Sequence, residues 1–159
     1  MTTKNTDLVG NFEATPQVAN SAAELAGVLR TAHGSVELAA GDSTDNDIVM
    51  LAPIPSNAAV PTLFVGSDTF GGSCTFNVGI YEADGTVKDE DVFATSVADA
   101  AALTDVRYEA ADLNTGSNKL WELAGDSEDP GGYYYVAITF NATGGTAGTL
   151  NWNISYVVD

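Results

Sequence analysis

Residues 74–85 read CTFNVGIYEADG, and this stretch sets the fold class. Phe76, Val78 and Ile80 alternate with small or polar residues, which is the period-two pattern of a strand with one face turned towards a core. The run ends in Asp84-Gly85, a pair that favours the positive φ angles of a tight hairpin turn. A strand that ends in such a turn predicts an antiparallel neighbour.

The same signal recurs on both sides of this hairpin. Short apolar segments are separated by clusters of Gly, Asp, Asn, Ser and Pro, which is typical of many short strands. The predicted strands are Val28-Ala39, Ile48-Ile54, Val60-Gly66, Cys74-Glu82, Val92-Ser96, Val106-Glu109, Tyr133-Asn141 and Thr149-Val157. About eight strands without βαβ alternation predict an all-β fold, an antiparallel β-sandwich that is jelly-roll-like.

Strand Tyr133-Asn141 is unusual because both of its alternating sets of side chains are apolar. We therefore expect this strand to be covered on both faces. Two other stretches, Val97-Leu103 and Lys119-Leu123, could form short helices, and neither is long enough to change the fold class.

Residues 1-22 are expected to form an extended N-terminal arm, followed by a jelly-roll β-sandwich domain over residues 23-159. The arm is polar, and its scattered apolar residues cannot form a core of their own. We predict that these residues bind a neighbouring chain or the body of the domain; they are Leu8, Val9, Phe12 and Val18. A capping box at Ser21-Ala22-Ala23-Glu24 keeps a short helix over about 21-32 open as an alternative.

The composition excludes several functional classes. Twenty-two acidic and five basic residues give a net charge of -17, which repels a phosphate backbone, so no nucleic-acid partner is expected. No apolar run has the roughly 18 to 20 residues that a membrane-spanning helix needs, and no membrane association is expected. The polar N-terminus lacks the apolar region of a secretory signal, which predicts synthesis and retention in the cytoplasm until assembly.

No constellation of residues predicts catalysis, a metal site or a cofactor. The loop Gly41–Asp47 lacks the glycine and glutamate that a calcium-binding EF-hand requires, so we interpret it as a solvated acidic turn. The acidic clusters Lys88–Asp91 and Asp126–Asp129 are interpreted as exposed charge, with a bound divalent ion as the remaining possibility. His33 is expected in or beside the first strand and Cys74 in the core. The chain is therefore not expected to be an enzyme.

The aromatic residues allow two interpretations. Trp121, Trp152 and the run Tyr133-Tyr134-Tyr135 suit a core or a protein interface, because each ring combines apolar area with a polar tip. Tyr134 is accordingly predicted to bind a partner. The alternative is a platform on which sugar rings stack, as in a carbohydrate-binding module or a head or tail fibre component that contacts the host surface.

Several weak motifs taken together resemble the decoration, or cement, proteins of tailed-bacteriophage heads, over residues 27-158. The motifs are Gly34-Ser35-Val36-Glu37, Pro55-Ser56-Asn57-Ala58, Val78-Gly79-Ile80-Tyr81, Asp91-Val92-Phe93-Ala94, Leu120-Trp121-Glu122, Asp129-Pro130 and a closing strand that ends in Ser155-Tyr156-Val157. The resemblance implies a jelly-roll homotrimer on the exterior of the virion capsid, made in the host cytoplasm. It also implies that the major capsid protein is the partner; no site residue can be carried over.

Overall fold

Eight strands and two short helices make up the regular structure of the part that the computed structural model describes, residues 5–25, 27–99, 102–107 and 115–158. The elements are α1 (Asp7–Glu13), β1 (Leu29–Leu38), β2 (Ile48–Pro55), β3 (Ala58–Ser67), β4 (Thr75–Tyr81), β5 (Val87–Ala98), β6 (Thr104–Asp105), α2 (Leu120–Leu123), β7 (Tyr133–Phe140) and β8 (Gly148–Val158). The strands form two antiparallel four-stranded sheets, so the predicted all-β sandwich is confirmed.

Four nested pairs of strands generate the two sheets. The hairpin β4–β5 is the innermost pair, and the pairs β3–β6, β2–β7 and β1–β8 follow outward. The four pairs are joined into two sheets because β3 also pairs with β8, and β4 also pairs with β7. The resulting orders, β1-β8-β3-β6 and β2-β7-β4-β5, are those of a jelly-roll-like sandwich.

The innermost hairpin turn is the one that Asp84-Gly85 predicts. Gly85 has a φ of 88°, a value that only glycine adopts without strain. The Asp84 carboxylate accepts a hydrogen bond from the Thr86 N–H at 2.9 Å, and the Glu82 N–H donates to the Thr86 carbonyl at 2.9 Å. The residues of this turn therefore fix the position of the β4–β5 hairpin, the innermost of the nested pairs.

The core lies between the two sheets and includes three phenylalanines that pack edge to face. The ring of Phe140 lies 5.4 Å from that of Phe70 and 6.1 Å from that of Phe76, measured between centroids. Strand β7 is buried on both faces, as predicted, since Ala137 and Thr139 are buried as well as the inward-facing residues.

An irregular part of β5 provides the second cover for this sheet. Along β4 two residue steps separate Val78 from Ile80, whereas their partners Ala94 and Asp89 are five steps apart on β5. The extra residues pass over Gly79, where a Cβ atom would collide with the backbone of Asp89 and of the following residue. Backbone covers backbone here, and only glycine leaves the space for it.

The extended conformation expected for residues 1-22 is wrong for residues 7–13, which form α1; residues 1–4 lie outside the described part. Local bonds explain the difference. The Asn11 amide donates to the Asn20 side-chain oxygen at 2.8 Å, and the Asn20 amide donates to the Leu8 carbonyl at 3.2 Å. These bonds fold the segment back on itself.

The alternative helix over 21-32 is also wrong. Ser21 starts a single turn, in which its carbonyl accepts bonds from the N–H groups of Glu24 and Leu25. Strand β1 then begins at Leu29 and makes ten consecutive pairs with β8. A single cap cannot outweigh this long-range pairing, because an isolated short helix is marginal in water.

Two further boundaries differ from the predictions, and one agrees. Val97 and Ala98 of the possible helix Val97-Leu103 belong to β5, because pairing with β4 overrides the helix propensity of alanine; residues 100 and 101 lie outside the described part. The strand predicted over Val106-Glu109 is replaced by the two-residue β6, and residues 108 and 109 are likewise not described. The helical turn predicted at Lys119-Leu123 is confirmed as α2.

Candidate interaction surface

The N-terminal segment presents a group of exposed apolar side chains, which we call the N-terminal apolar segment. Its members are Val9, Phe12, Val18, Leu25, Val28 and Leu29. Phe12 is 65% exposed. A groove of about 410 Å³ lies among residues of this segment and is lined by Phe12, Gln17, Val18, Ala19, Asn20 and Leu25. Apolar surface grouped in this way is typical of a protein interaction site.

Three of the five predicted partner-binding residues are exposed in this segment: Val9, Phe12 and Val18. Leu8 is half-buried. Tyr134 is only 5% exposed, and its hydroxyl donates a hydrogen bond to the Asp126 carboxylate. The structure therefore does not present Tyr134 to a partner. The alternation in β7 carried this information, since Tyr134 shares a face with the apolar Val136.

Tyr134 belongs to a polar network at the turn end of the β4–β5 hairpin. The Lys88 ammonium lies 3.2 Å from an Asp126 oxygen and 3.3 Å from a Glu82 oxygen. These hydrogen bonds raise the pKa of Lys88, and bonds from Tyr134 and Lys88 lower the pKa of Asp126. Burial, followed by the bond to Asp126, raises the pKa of Tyr134 to about 12. The network joins the hairpin to the loop before β7.

The carboxylates of the acidic loops accept hydrogen bonds, two of them within their own turns and one from another loop. Asp42 accepts from the Ala39 N–H at 2.9 Å, and Asp47 accepts from the Thr44 N–H at 2.8 Å. Asp129 accepts from the Ser56 hydroxyl at 2.6 Å, which lowers the pKa of Asp129. Within the described ranges, no three His, Cys, Asp or Glu side chains lie together as a metal site requires.

The outer face of the β1-β8-β3 part of one sheet carries no charged residue over three rows, and we call it the neutral face. The registers and burial place these side chains on it: Thr31, His33, Ser35, Asn151, Asn153, Ser155, Thr62, Phe64 and Gly66. A shallow groove of about 390 Å³ follows it. The Asn153 side-chain oxygen is buried there and has no hydrogen-bond partner among the described residues.

The N-terminal apolar segment adjoins the neutral face. Gly27 packs so closely on Val157 that a Cβ atom would lie 2.6 Å from a methyl carbon of that valine. Val157 points to the same face of β8 as Asn153, because the two residues are four positions apart along the strand. The extra residues of β5, with exposed Glu90 and Asp91, instead cover the outer side of the other sheet. The neutral face therefore lies on the sheet opposite the one whose outer side carries Glu90 and Asp91, which we call the acidic surface, although Asp7, Glu13 and Glu24 of the N-terminal segment are also exposed.

The five aromatic residues that the sequence offers for sugar binding, Trp121, Trp152 and Tyr133–Tyr135, do not form a platform of exposed rings. Tyr133 is exposed at 64%, but Trp121, Trp152 and Tyr135 are half-buried and Tyr134 is buried. The Trp152 ring packs over Gly34, where a Cβ atom would lie 2.7 Å from a ring carbon. One exposed ring does not provide the stacked faces that the carbohydrate-binding alternative needs.

The only histidine and the only cysteine occupy the places that the sequence predicts. His33 lies in β1 with its side chain exposed. Cys74 is buried, its sulfur lies 3.1 Å from the Ala142 carbonyl oxygen, and burial raises the pKa of the thiol. A buried thiol with a raised pKa is a packing group, because the reactive form is the thiolate.

Neither helix of the described part has the length or apolar character of a bilayer-spanning helix.

Distant structural likenesses are found among solved structures, two of them to chains of phage capsids. No protein-family model and no curated protein matches the chain. A chain of the cyanophage Pam1 capsid asymmetric unit is 19% identical, with a TM-score of 0.43, over 84% of this chain and 86% of that chain. A chain of the acidic stable capsid structure of Helicobacter pylori bacteriophage KHP30 is 14% identical, with a TM-score of 0.37, over 82% and 94%. Likenesses this distant assign neither a role nor a partner.

Proposed function

We propose that this chain is a structural protein of a phage virion, a decoration or cement protein that binds the outside of the head and stabilises the major capsid protein lattice. The observation that carries the proposal is the N-terminal apolar segment, exposed beside a sandwich whose large apolar side chains are mostly in the core. A partner that covers this segment removes apolar area from water, which favours binding. The ordered series of head-protein motifs supports the same role.

The proposed mechanism is mass action. A chain that binds the assembled lattice but not free subunits stabilises the lattice by its binding free energy. Repeated symmetric contacts, as in a homotrimer on the lattice, add avidity, so each contact need only be modest. We propose a binding role without catalysis, and the acidic surface, on the sheet opposite the neutral face, would face bulk water and keep particles apart.

The first experiment measures the molar mass of the purified chain by light scattering and then its sedimentation with capsid shells that lack it. We expect a trimer that sediments with the shells in many copies per particle and raises their resistance to heat. A chain that stays in the supernatant, or that binds without any gain in heat resistance, would contradict the proposal.

A pair of variants tests the role of the N-terminal apolar segment. The double substitution Phe12→Ser and Val18→Ser alters exposed side chains, so the fold should be retained. We expect weaker binding to shells, by about tenfold or more, if these side chains are buried against the lattice. Val87→Ser is the matched control, since Val87 is an apolar residue of β5 that is 47% exposed. Equal binding by all three proteins would show that the segment is not the contact.

A further inference from the structure

Each sheet of the sandwich ends in two edge strands, and their edges differ. The edges are β1 and β6 in one sheet and β2 and β5 in the other. An edge strand presents unpaired N–H and C=O groups, which can pair with another chain. Proteins block such edges with proline, charged residues, bulges or very short strands. The presence or absence of these features therefore indicates which edge strand can pair with a strand of another chain.

Three of the four edges are blocked. Strand β2 contains Pro53 and Pro55 and has a shift of register between Met50 and Ala52. Strand β5 carries a charged run, residues 88–91, and its pairing with β4 shifts three times. Strand β6 has only two residues. Each of these edges carries at least one feature that prevents regular pairing.

Strand β1 lacks the prolines, the register shifts and the charged run of the other edges. It spans ten residues, contains no proline, and keeps one register with β8 from Leu29 to Leu38. Its charged residues are one arginine and one glutamate, so β1 is close to neutral in a chain of net charge -17. Among the described residues, no strand other than β8 pairs with it. The outward-facing side chains of Thr31, His33 and Ser35 are exposed.

We infer that the free edge of β1 binds an extended segment of a partner chain, which adds a strand to the β1-β8-β3-β6 sheet. This inference rests on the proposed function, and the occupant is then an extended segment of the capsid shell. A second copy would bring another net charge of -17 to this edge, so a neutral or basic segment is favoured here, and the contacts of the proposed homotrimer would lie elsewhere on the chain. Main-chain bonds provide the affinity in this mode of recognition.

The surroundings of β1 specify the chemistry of the segment. Val28 and Leu29 are exposed at the start of the strand and continue the N-terminal apolar segment, so an apolar residue of the partner fits there. Glu37 is exposed near the end of β1, where a basic residue of the partner fits. The edge and the N-terminal apolar segment thus form one continuous surface.

Hydrogen exchange measured by mass spectrometry tests this pairing on the intact chain, free and bound to capsid shells. Alternate N–H groups of β1 already bond to β8, so about half of the amides of residues 29–38 should gain protection on binding. Residues 48–55 of the blocked strand β2 should not change. Binding without added protection of residues 29–38 would overturn the inference and leave the proposed function standing. Failure to bind shells at all would overturn both.

Two adjacent proline substitutions give a second readout. Ala32→Pro and His33→Pro each remove one N–H, and alternation means that one of the two points to the free edge. Losing the N–H that bonds to β8 should lower the urea resistance more, so the variant with the smaller loss is the one whose missing N–H pointed to the free edge. That variant should bind shells at least about tenfold more weakly. Ser35→Thr, which keeps its N–H, should bind normally. Unchanged shell binding by that variant would overturn the inference. Concentration-dependent protection of residues 29–38 in the chain alone would identify a second copy as the occupant and also overturn it.

Discussion

The contact between Tyr134 and Asp126 links a single titration to the stability of the fold. Burial raises the pKa of Tyr134 to about 12, from an ordinary value of 10. The folded chain therefore keeps this hydroxyl protonated at a pH where the unfolded chain has begun to ionise it. The resulting stabilisation is complete below pH 10 and is lost as the pH rises through about 12. Lys88, whose pKa is also raised, acts in the same direction above its ordinary value of 10.5.

Tyr134→Phe should reduce the dependence of stability on alkaline pH. The wild-type free energy of unfolding should fall between pH 9 and pH 11.5 (chosen to bracket the ordinary tyrosine value of about 10), and the variant should lose less because one contributing group is gone. Urea unfolding at a series of pH values measures this. Tyr133→Phe, which changes an exposed ring, should keep the wild-type slope. A Tyr134→Phe slope equal to that of wild type would show that the hydroxyl is not held in its protonated form.

The pairing of β4 with β5 depends on the passage of one backbone over another. Gly79 lies under the extra residues of β5, and the atoms that a Cβ would meet are main-chain atoms of Asp89 and Glu90. Main-chain atoms cannot rotate away as the end of a side chain can. Any side chain at this position must therefore push β4 and β5 apart or displace the part of β5 that covers the sheet.

Gly79→Ala should lower the free energy of unfolding by about 3 kcal/mol or more, because the clash is with backbone. Chemical denaturation followed by circular dichroism measures the change. Gly41→Ala is the matched control, since a Cβ atom added at Gly41 would meet no other atom within 4 Å and should change stability by only about 0.5 kcal/mol. Similar stabilities of the two variants would mean that β5 does not cross β4 as described.

The molecule combines a strongly negative net charge with one sheet face, the neutral face, whose described side chains are uncharged over three rows. The net charge of -17 opposes the compact state through self-repulsion. On the neutral face and along β1 this repulsion has few local sources, so a partner can approach there without meeting a dense layer of carboxylates. The acidic surface and the proposed contact surface are therefore consistent with one orientation on a shell.

Raising the salt concentration should stabilise the isolated chain. Between about 10 mM and about 200 mM NaCl the screening length falls from about 30 Å to below 10 Å, so the melting temperature at pH 7 should rise by a few degrees. Thermal unfolding followed by circular dichroism measures it. The same series near pH 4.1, the isoelectric point of the sequence, is the control and should show little change. A melting temperature independent of salt at pH 7 would show that self-repulsion does not limit stability.

Local patterns in the sequence were enough to predict most of the strands, the β4–β5 turn and the acidity of the surface. Period-two alternation and an Asp-Gly pair act within a few residues, so they are legible without partners. The exposed Val9, Phe12 and Val18 were also predictable, because a polar segment with isolated apolar residues cannot bury them. The helix α1 was missed, since it depends on the bond from Asn11 to Asn20 across a turn.

Which edge is free and which face is neutral became visible only in the folded molecule. These properties depend on long-range pairs, such as Leu29 with Val157 and Gly79 with the backbone of Asp89. A residue's own side chain does not encode which distant strand will lie beside it. Local pattern therefore predicted the elements, whereas the nesting of the strands determined which of their surfaces remain available to a partner.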